Sequence, residues 1–129
     1  MAAGDRVQRF CDALHEFERS GDEGPLVGLF SGDAVLSRPE ADLSAGGSTD
    51  PQEFWAAYRA QFSDISTAFG RTHDAGDLGV LEWESEGRLA AGRPIRYRGV
   101  SLLDFEDGGD RVVRFATYYD TAAFLEPEG

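Results

Sequence analysis

Two glutamates, Glu82 and Glu84, stand two residues apart in the stretch GVLEWESEG, and Arg38 directly precedes the proline of DAVLSRP. On a strand, residues at i and i+2 share a face, so the two carboxylates can converge. Two carboxyl groups in a partly dry pocket would repel if both ionised, so either one is protonated near neutral pH or Arg38 compensates them. A glutamate held neutral in this way suits a general acid or base. Glu84 is the candidate acid/base, Glu82 a second carboxylate and Arg38 a charge stabiliser. His73, in GRTHD, is a candidate proton shuttle because imidazole titrates near physiological pH. The same alternation supports the reverse arrangement, with both glutamates on a solvated face and Leu81 and Trp83 turned to the core.

Other chemistries find less support. Cys11 is the only cysteine, which excludes an internal disulfide, and it falls on an apolar helix face where it reads as buried filler. His15 and His73 are far apart and the acidic residues lack a binding-loop spacing, so no metal site is expected. Ser101 and Thr117 can orient a carbonyl by hydrogen bonding, but no neighbouring base in sequence marks either as a nucleophile.

The elements that must position these residues are legible. Asp5 can cap a helix in which Val7, Phe10, Cys11, Leu14 and Phe17 recur at three- and four-residue spacings, stopped by Ser20-Gly21-Asp22. A short helical turn in PLVGLF precedes a strand in Asp33 to Pro39, and Glu40 to Thr49 reads as a loop. Asp50-Pro51-Gln52-Glu53 combines a cap, a proline at the first helical position and a glutamate three residues on, which predicts a second long helix over FWAAYRAQF. From about Ile65 the texture changes to strands, with Asp107 to Asp110 as the hairpin turn between the last two. Asp120, after the last strand, reads as a strand-end or capping residue.

Helices first and strands afterwards predict an α+β fold. At 129 residues, 41% hydrophobic, residues 1–129 form a single domain with room for one core. A net charge of -12 excludes nucleic acid and anionic membranes as partners. No apolar run approaches the ~20 residues of a membrane span, and MAAGDRVQRF lacks a signal pattern; a soluble cytoplasmic protein is expected.

The element order, with PLVGLFSGDAVLSRP, the hairpin GVSLLDFEDGGDRVVRF and the terminal YYDTAAFL, resembles the SnoaL-like branch of the nuclear transport factor 2-like superfamily over nearly the whole chain. The resemblance implies a cone-shaped, curved antiparallel sheet wrapped around three N-terminal helices, enclosing an apolar pocket, usually in a homodimer. It leaves the activity open, because this superfamily hosts isomerases, cyclases, epoxide hydrolases, dehydratases and binding domains. The positions that match the catalytic residues of ketosteroid isomerases are Phe10, Arg38 and Ser101, none of which can do that chemistry. The position matching the acid of the cyclases and epoxide hydrolases is Thr117. The Arg-x-Asp of the hydrolases is matched by Glu82-Trp83-Glu84, which keeps one carboxylate, at Glu84.

If the inward faces follow the family, Phe10, Tyr58, Tyr97, Phe115 and Tyr119 line the pocket with Leu36, Val80 and Leu103. Ser101 and Thr117 add hydrogen-bonding groups beside Arg38, Glu82 and Glu84. The expected function is a cofactor-independent acid/base enzyme of isomerase, cyclase or dehydratase type, acting on a small hydrophobic carbonyl or polyketide-like compound. The alternative is a ligand-binding or accessory domain that lost the catalytic residues. With the glutamates inward, Leu81 and Trp83 would lie on the outer sheet face and cover it in a homodimer.

Overall fold

The computed structural model describes residues 4–39 and 47–125, with side chains from residue 6 onward. The side chain of the expected cap Asp5, whose backbone is already inside the first helix, and residues 40–46 of the expected loop lie outside that description. Helix α1 (Gly4–Ser20) buries Val7, Phe10, Leu14 and Phe17 along one stripe. It stops at Gly21, whose φ of +83° suits glycine and whose N–H reaches the Phe17 carbonyl at 2.8 Å. A single turn, α2 (Gly24–Val27), leads into strand β1 (Phe30–Ser37). Helix α3 (Pro51–Ala60) starts as its sequence requires: the Asp50 carboxylate accepts the Glu53 N–H at 3.2 Å, and Pro51 occupies the first helical turn.

Four strands follow: β2 (Phe62–Asp74), β3 (Leu78–Leu89), β4 (Pro94–Phe105) and β5 (Val112–Tyr119). β2 begins directly after α3, a little earlier than the change of texture near Ile65 suggested. Asp120 closes the strand region by accepting the Ala122 N–H at 3.0 Å, which caps a short 3-10 turn over Thr121–Phe124.

The strands form one curved, unclosed sheet in the order β1-β5-β4-β3-β2. All neighbours are antiparallel except β1 and β5, which run parallel, a departure from the expected antiparallel sheet. Besides a single antiparallel bridge from Leu36 to Ser48, the strand that pairs with β1 among the described residues is β5; parallel pairing needs a long connection, and α3 with the three strands between supplies it. Register shifts between Phe69 and Thr72 in β2, and between Phe30 and Val35 in β1, bend the strands around the helices. At Gly99 any Cβ would lie 2.7 Å from the Trp83 ring directly across the ladder, so only glycine lets that indole lie down on the inner face.

The main core joins α1, α3 and the inner sheet face through Phe10, Phe17, Trp55, Leu81, Leu103 and Phe115. A second cluster of Phe62, Ile65, Trp83, Ile95 and Tyr97 fills the wider end, and Tyr58 and Phe69 pack against both. At the opposite end Arg6 grips Asp74 with two hydrogen bonds, at 2.6 and 3.1 Å, and covers the Phe105 ring at 4.0 Å. Although its burial works the other way, the Arg6 hydrogen bonds hold the Asp74 carboxyl below the usual range. This pair ties the start of α1 to the end of β2.

Candidate functional site

A cavity opens where the two clusters meet. Phe10 and Leu14 of α1, Phe54, Trp55 and Tyr58 of α3, and Phe69, Trp83, Tyr97, Phe115 and Tyr119 of the sheet supply its apolar walls. Gln61, Arg38, Thr67, Ser85, Ser101 and Thr117 supply its polar atoms. The open space is ≈ 40 Å³, room for a few waters.

The sheet register decides which side chains reach this space. Directly opposed residues of an antiparallel pair share a face. Leu81 pairs with Ser101, Trp83 with Gly99 and Ser85 with Tyr97. Since Ser101 and Tyr97 point inward, Leu81, Trp83 and Ser85 must do so too. Glu82 and Glu84 are therefore turned to the outer face, which corrects the orientation expected for the candidate carboxylates. Their side chains are 44% and 46% exposed, Glu82 paired with Arg71 at 2.7 Å and Glu84 paired with Arg96. The hydrogen bond from Arg71 holds Glu82 below its ordinary range, the opposite of a poised acid.

Further corrections follow. Leu81 and Trp83 are buried, so they do not cover the outer face as a dimer contact. His73 is exposed and pairs with Val80 beyond the register shift in β2, outside the cavity. Leu36 and Leu103 are buried in the main core, and Val80 shares the outer face with Glu82. The structure does bring Phe10, Arg38, Tyr58, Tyr97, Ser101, Phe115, Thr117 and Tyr119 to one cavity. Arg38 crosses the Phe54 ring at 5.2 Å. Burial pushes the Cys11 thiol up to about 11, as suits a packing residue.

One carboxylate was missed. Glu18, on the last turn of α1, is only 9% exposed. Its Oε2 accepts the Tyr58 hydroxyl and the Thr67 hydroxyl, each at 2.6 Å, and its Oε1 accepts the Thr67 N–H at 3.0 Å. The Thr67 and Ser85 hydroxyls are 2.6 Å apart. His15 Nε2 donates to the Thr67 carbonyl at 2.8 Å. Burial pushes Glu18 above the usual carboxylate range, opposed by the Thr67 and Tyr58 hydrogen bonds and by His15. Burial and the Glu18 charge also raise the Tyr58 phenol. A signal existed: Glu18 lies four residues after Leu14 and seven after Cys11, on the apolar stripe of α1.

On the other wall the Trp83 indole N–H donates to Ser101 Oγ at 2.9 Å, and the Ser101 hydroxyl donates to Thr117 Oγ1 at 2.8 Å. Two short polar chains thus border a cavity walled mainly by rings, the arrangement of a small-molecule site. Among the described residues no group of His, Cys, Asp and Glu is placed to hold a metal ion. Among them, too, no helix is long and apolar enough to cross a membrane.

The SnoaL-like domain family matches residues 7–115. The chain belongs to that family. Solved structures place the SnoaL-like domain among NTF2-like folds. An NTF2-like protein from Anabaena variabilis superimposes with a TM-score of 0.77 at 16% identity, over 92% of this chain and 90% of that one. AclR, a proposed hydroxylase from Streptomyces galilaeus, gives 0.76 at 16% identity over 96% and 95%. An LEH-like epoxide hydrolase from M. tuberculosis gives 0.67 at 11% identity over 92% and 86%. These identities establish the shared fold alone. No curated protein sequence matches the chain.

Proposed function

We propose that this SnoaL-like domain is a small-molecule pocket protein that takes up one compact, hydrophobic, carbonyl-bearing compound between α1, α3 and the inner sheet face. The observation that carries the reading is the cavity itself. Rings of Phe10, Trp55, Trp83, Tyr97 and Phe115 surround it, while the hydroxyls of Ser101 and Thr117 and the Arg38 side chain reach it from the sheet side. Apolar walls with few fixed polar groups favour a ligand that is mostly hydrocarbon and oriented by an oxygen atom. Incubation with a hydrophobic-metabolite extract, followed by mass spectrometry of the retained compounds, tests this. Retention by the wild type and its loss in a cavity-filling Thr117→Phe variant support the reading. Equal retention by both, or none by either, counts against it.

Catalysis is the second reading, favoured by one contact. With Glu82 and Glu84 outside, the acid/base pair left at the pocket is Tyr58 with Glu18 behind it, at 2.6 Å. In this reading Tyr58 takes a proton from the bound compound as its own phenol proton passes to the Glu18 carboxylate. Conversion of a retained compound by wild type, reduced in Tyr58→Phe by far more than retention is, distinguishes an enzyme from a binding domain.

Homodimerisation through the outer sheet face is kept on new residues. Val80, Val100 and Leu102 are half-buried and Tyr118 is 39% exposed. They neighbour one another on the outer face across β3, β4 and β5. Apolar residues grouped on a sheet face call for a cover.

A further inference from the structure

We infer that the two polar chains bordering the cavity have opposite hydrogen-bond polarity and select a single-ring ligand carrying a hydroxyl donor at one end and a carbonyl acceptor at the other. This rests on the pocket reading above and specifies the ligand class.

The direction of each chain follows from the group that anchors it. Indole nitrogen can only donate. Trp83 gives its proton to Ser101, Ser101 gives its own to Thr117, and the Thr117 hydroxyl proton is left over for the cavity. An ionised carboxylate can only accept. Glu18 takes the protons of both Tyr58 and Thr67, so Thr67 must accept from Ser85. What Tyr58 and Ser85 then offer the cavity is lone pairs. One wall presents a donor and the other presents acceptors.

One further observation agrees with this assignment. Ser37 pairs with Ala116, so Arg38 and Thr117 follow side by side, and Arg38 brings its positive charge to the donor end. The ligand is therefore asked for an acceptor where the donors are and for a donor opposite Tyr58 and Ser85. The ≈ 40 Å³ of open space is room for a few waters, so even a single-ring ligand enters only as wall side chains move, and a larger one asks for more.

Calorimetric titration of the intact protein with four probes tests the assignment at a pH below the ionisation of the probe phenols. The probes are 4-hydroxyacetophenone, its methyl ether 4-methoxyacetophenone, 4-ethylphenol and ethylbenzene. The first is expected to bind at least about tenfold more tightly than either singly altered probe, since each alteration removes one hydrogen bond and strands a buried group. In Thr117→Val, the advantage of 4-hydroxyacetophenone over 4-ethylphenol should vanish while its advantage over the methyl ether remains. If ethylbenzene and the methyl ether bind as tightly as 4-hydroxyacetophenone, the polarity assignment is overturned and the pocket reading stands. If none of the four binds, both fall.

Discussion

The Tyr58 hydroxyl donates to Glu18 Oε2 at 2.6 Å, joining α3 to the only carboxylate buried beside the cavity among the described residues. Removing this donor from an ionised carboxylate should cost about 1.5–3 kcal/mol. Tyr58→Phe keeps the ring that packs on Trp55 at 5.7 Å, so the loss belongs to the hydroxyl. Urea denaturation at neutral pH checks it, with an unchanged slope and a lower midpoint expected.

Glu18 also predicts a pH dependence. Its carboxyl is raised in the folded protein above the usual carboxylate range, chiefly by burial. A raised pKa means that the fold prefers the protonated form. Stability from this group is full below the unfolded pKa and declines as pH rises through the folded one. His15, Tyr58 and Tyr97 are the titratable groups that interact with it. The melting temperature of wild type relative to Glu18→Gln should therefore fall as pH climbs from about 4 towards neutrality. A difference that stays flat, or grows in the wild type's favour, would show that Glu18 does not titrate in this way.

Glu84→Gln and Glu82→Gln should leave both melting temperature and ligand retention unchanged within error. Each removes half of an exposed ion pair on the outer face, where water and salt screen the interaction. Loss of retention in either variant would place these carboxylates at the pocket after all.

Tyr118→Glu and Val100→Glu put charges into the apolar group on the outer face. Light scattering at micromolar concentration should then report a monomer where wild type is a dimer, with unchanged circular dichroism. A wild type that is already monomeric would remove the sheet face as an interface.

The fold was largely readable because its signals are local. Asp50, Pro51 and Glu53 announce α3 by themselves, and Asp120 announces the end of β5. The face of β3 was not, because Leu81 and Trp83 alternate with Glu82 and Glu84 and either set can be imagined inside. Matching the family's catalytic positions drew the glutamates inward. Burial energetics drew them outward, since Leu81 and Trp83 gain far more from leaving water than two carboxylates do. Ser101 and Tyr97 held the answer, but only through their register with β3, a long-range fact. Glu18 escaped notice because it sits near the end of α1, where a charged residue looks like solvated surface.

The parallel seam between β1 and β5 makes the order of synthesis matter. During translation the first strand emerges long before its partner strand in the sheet, so the Leu36 edge facing β5 waits uncovered until Phe115 arrives beside it. Contacts so distant in sequence form late and slowly, after the β2–β3–β4 meander has had time to assemble. A nascent chain halted before β5 would hold the meander and the helices with one sheet margin open, a state prone to pairing with the wrong strand.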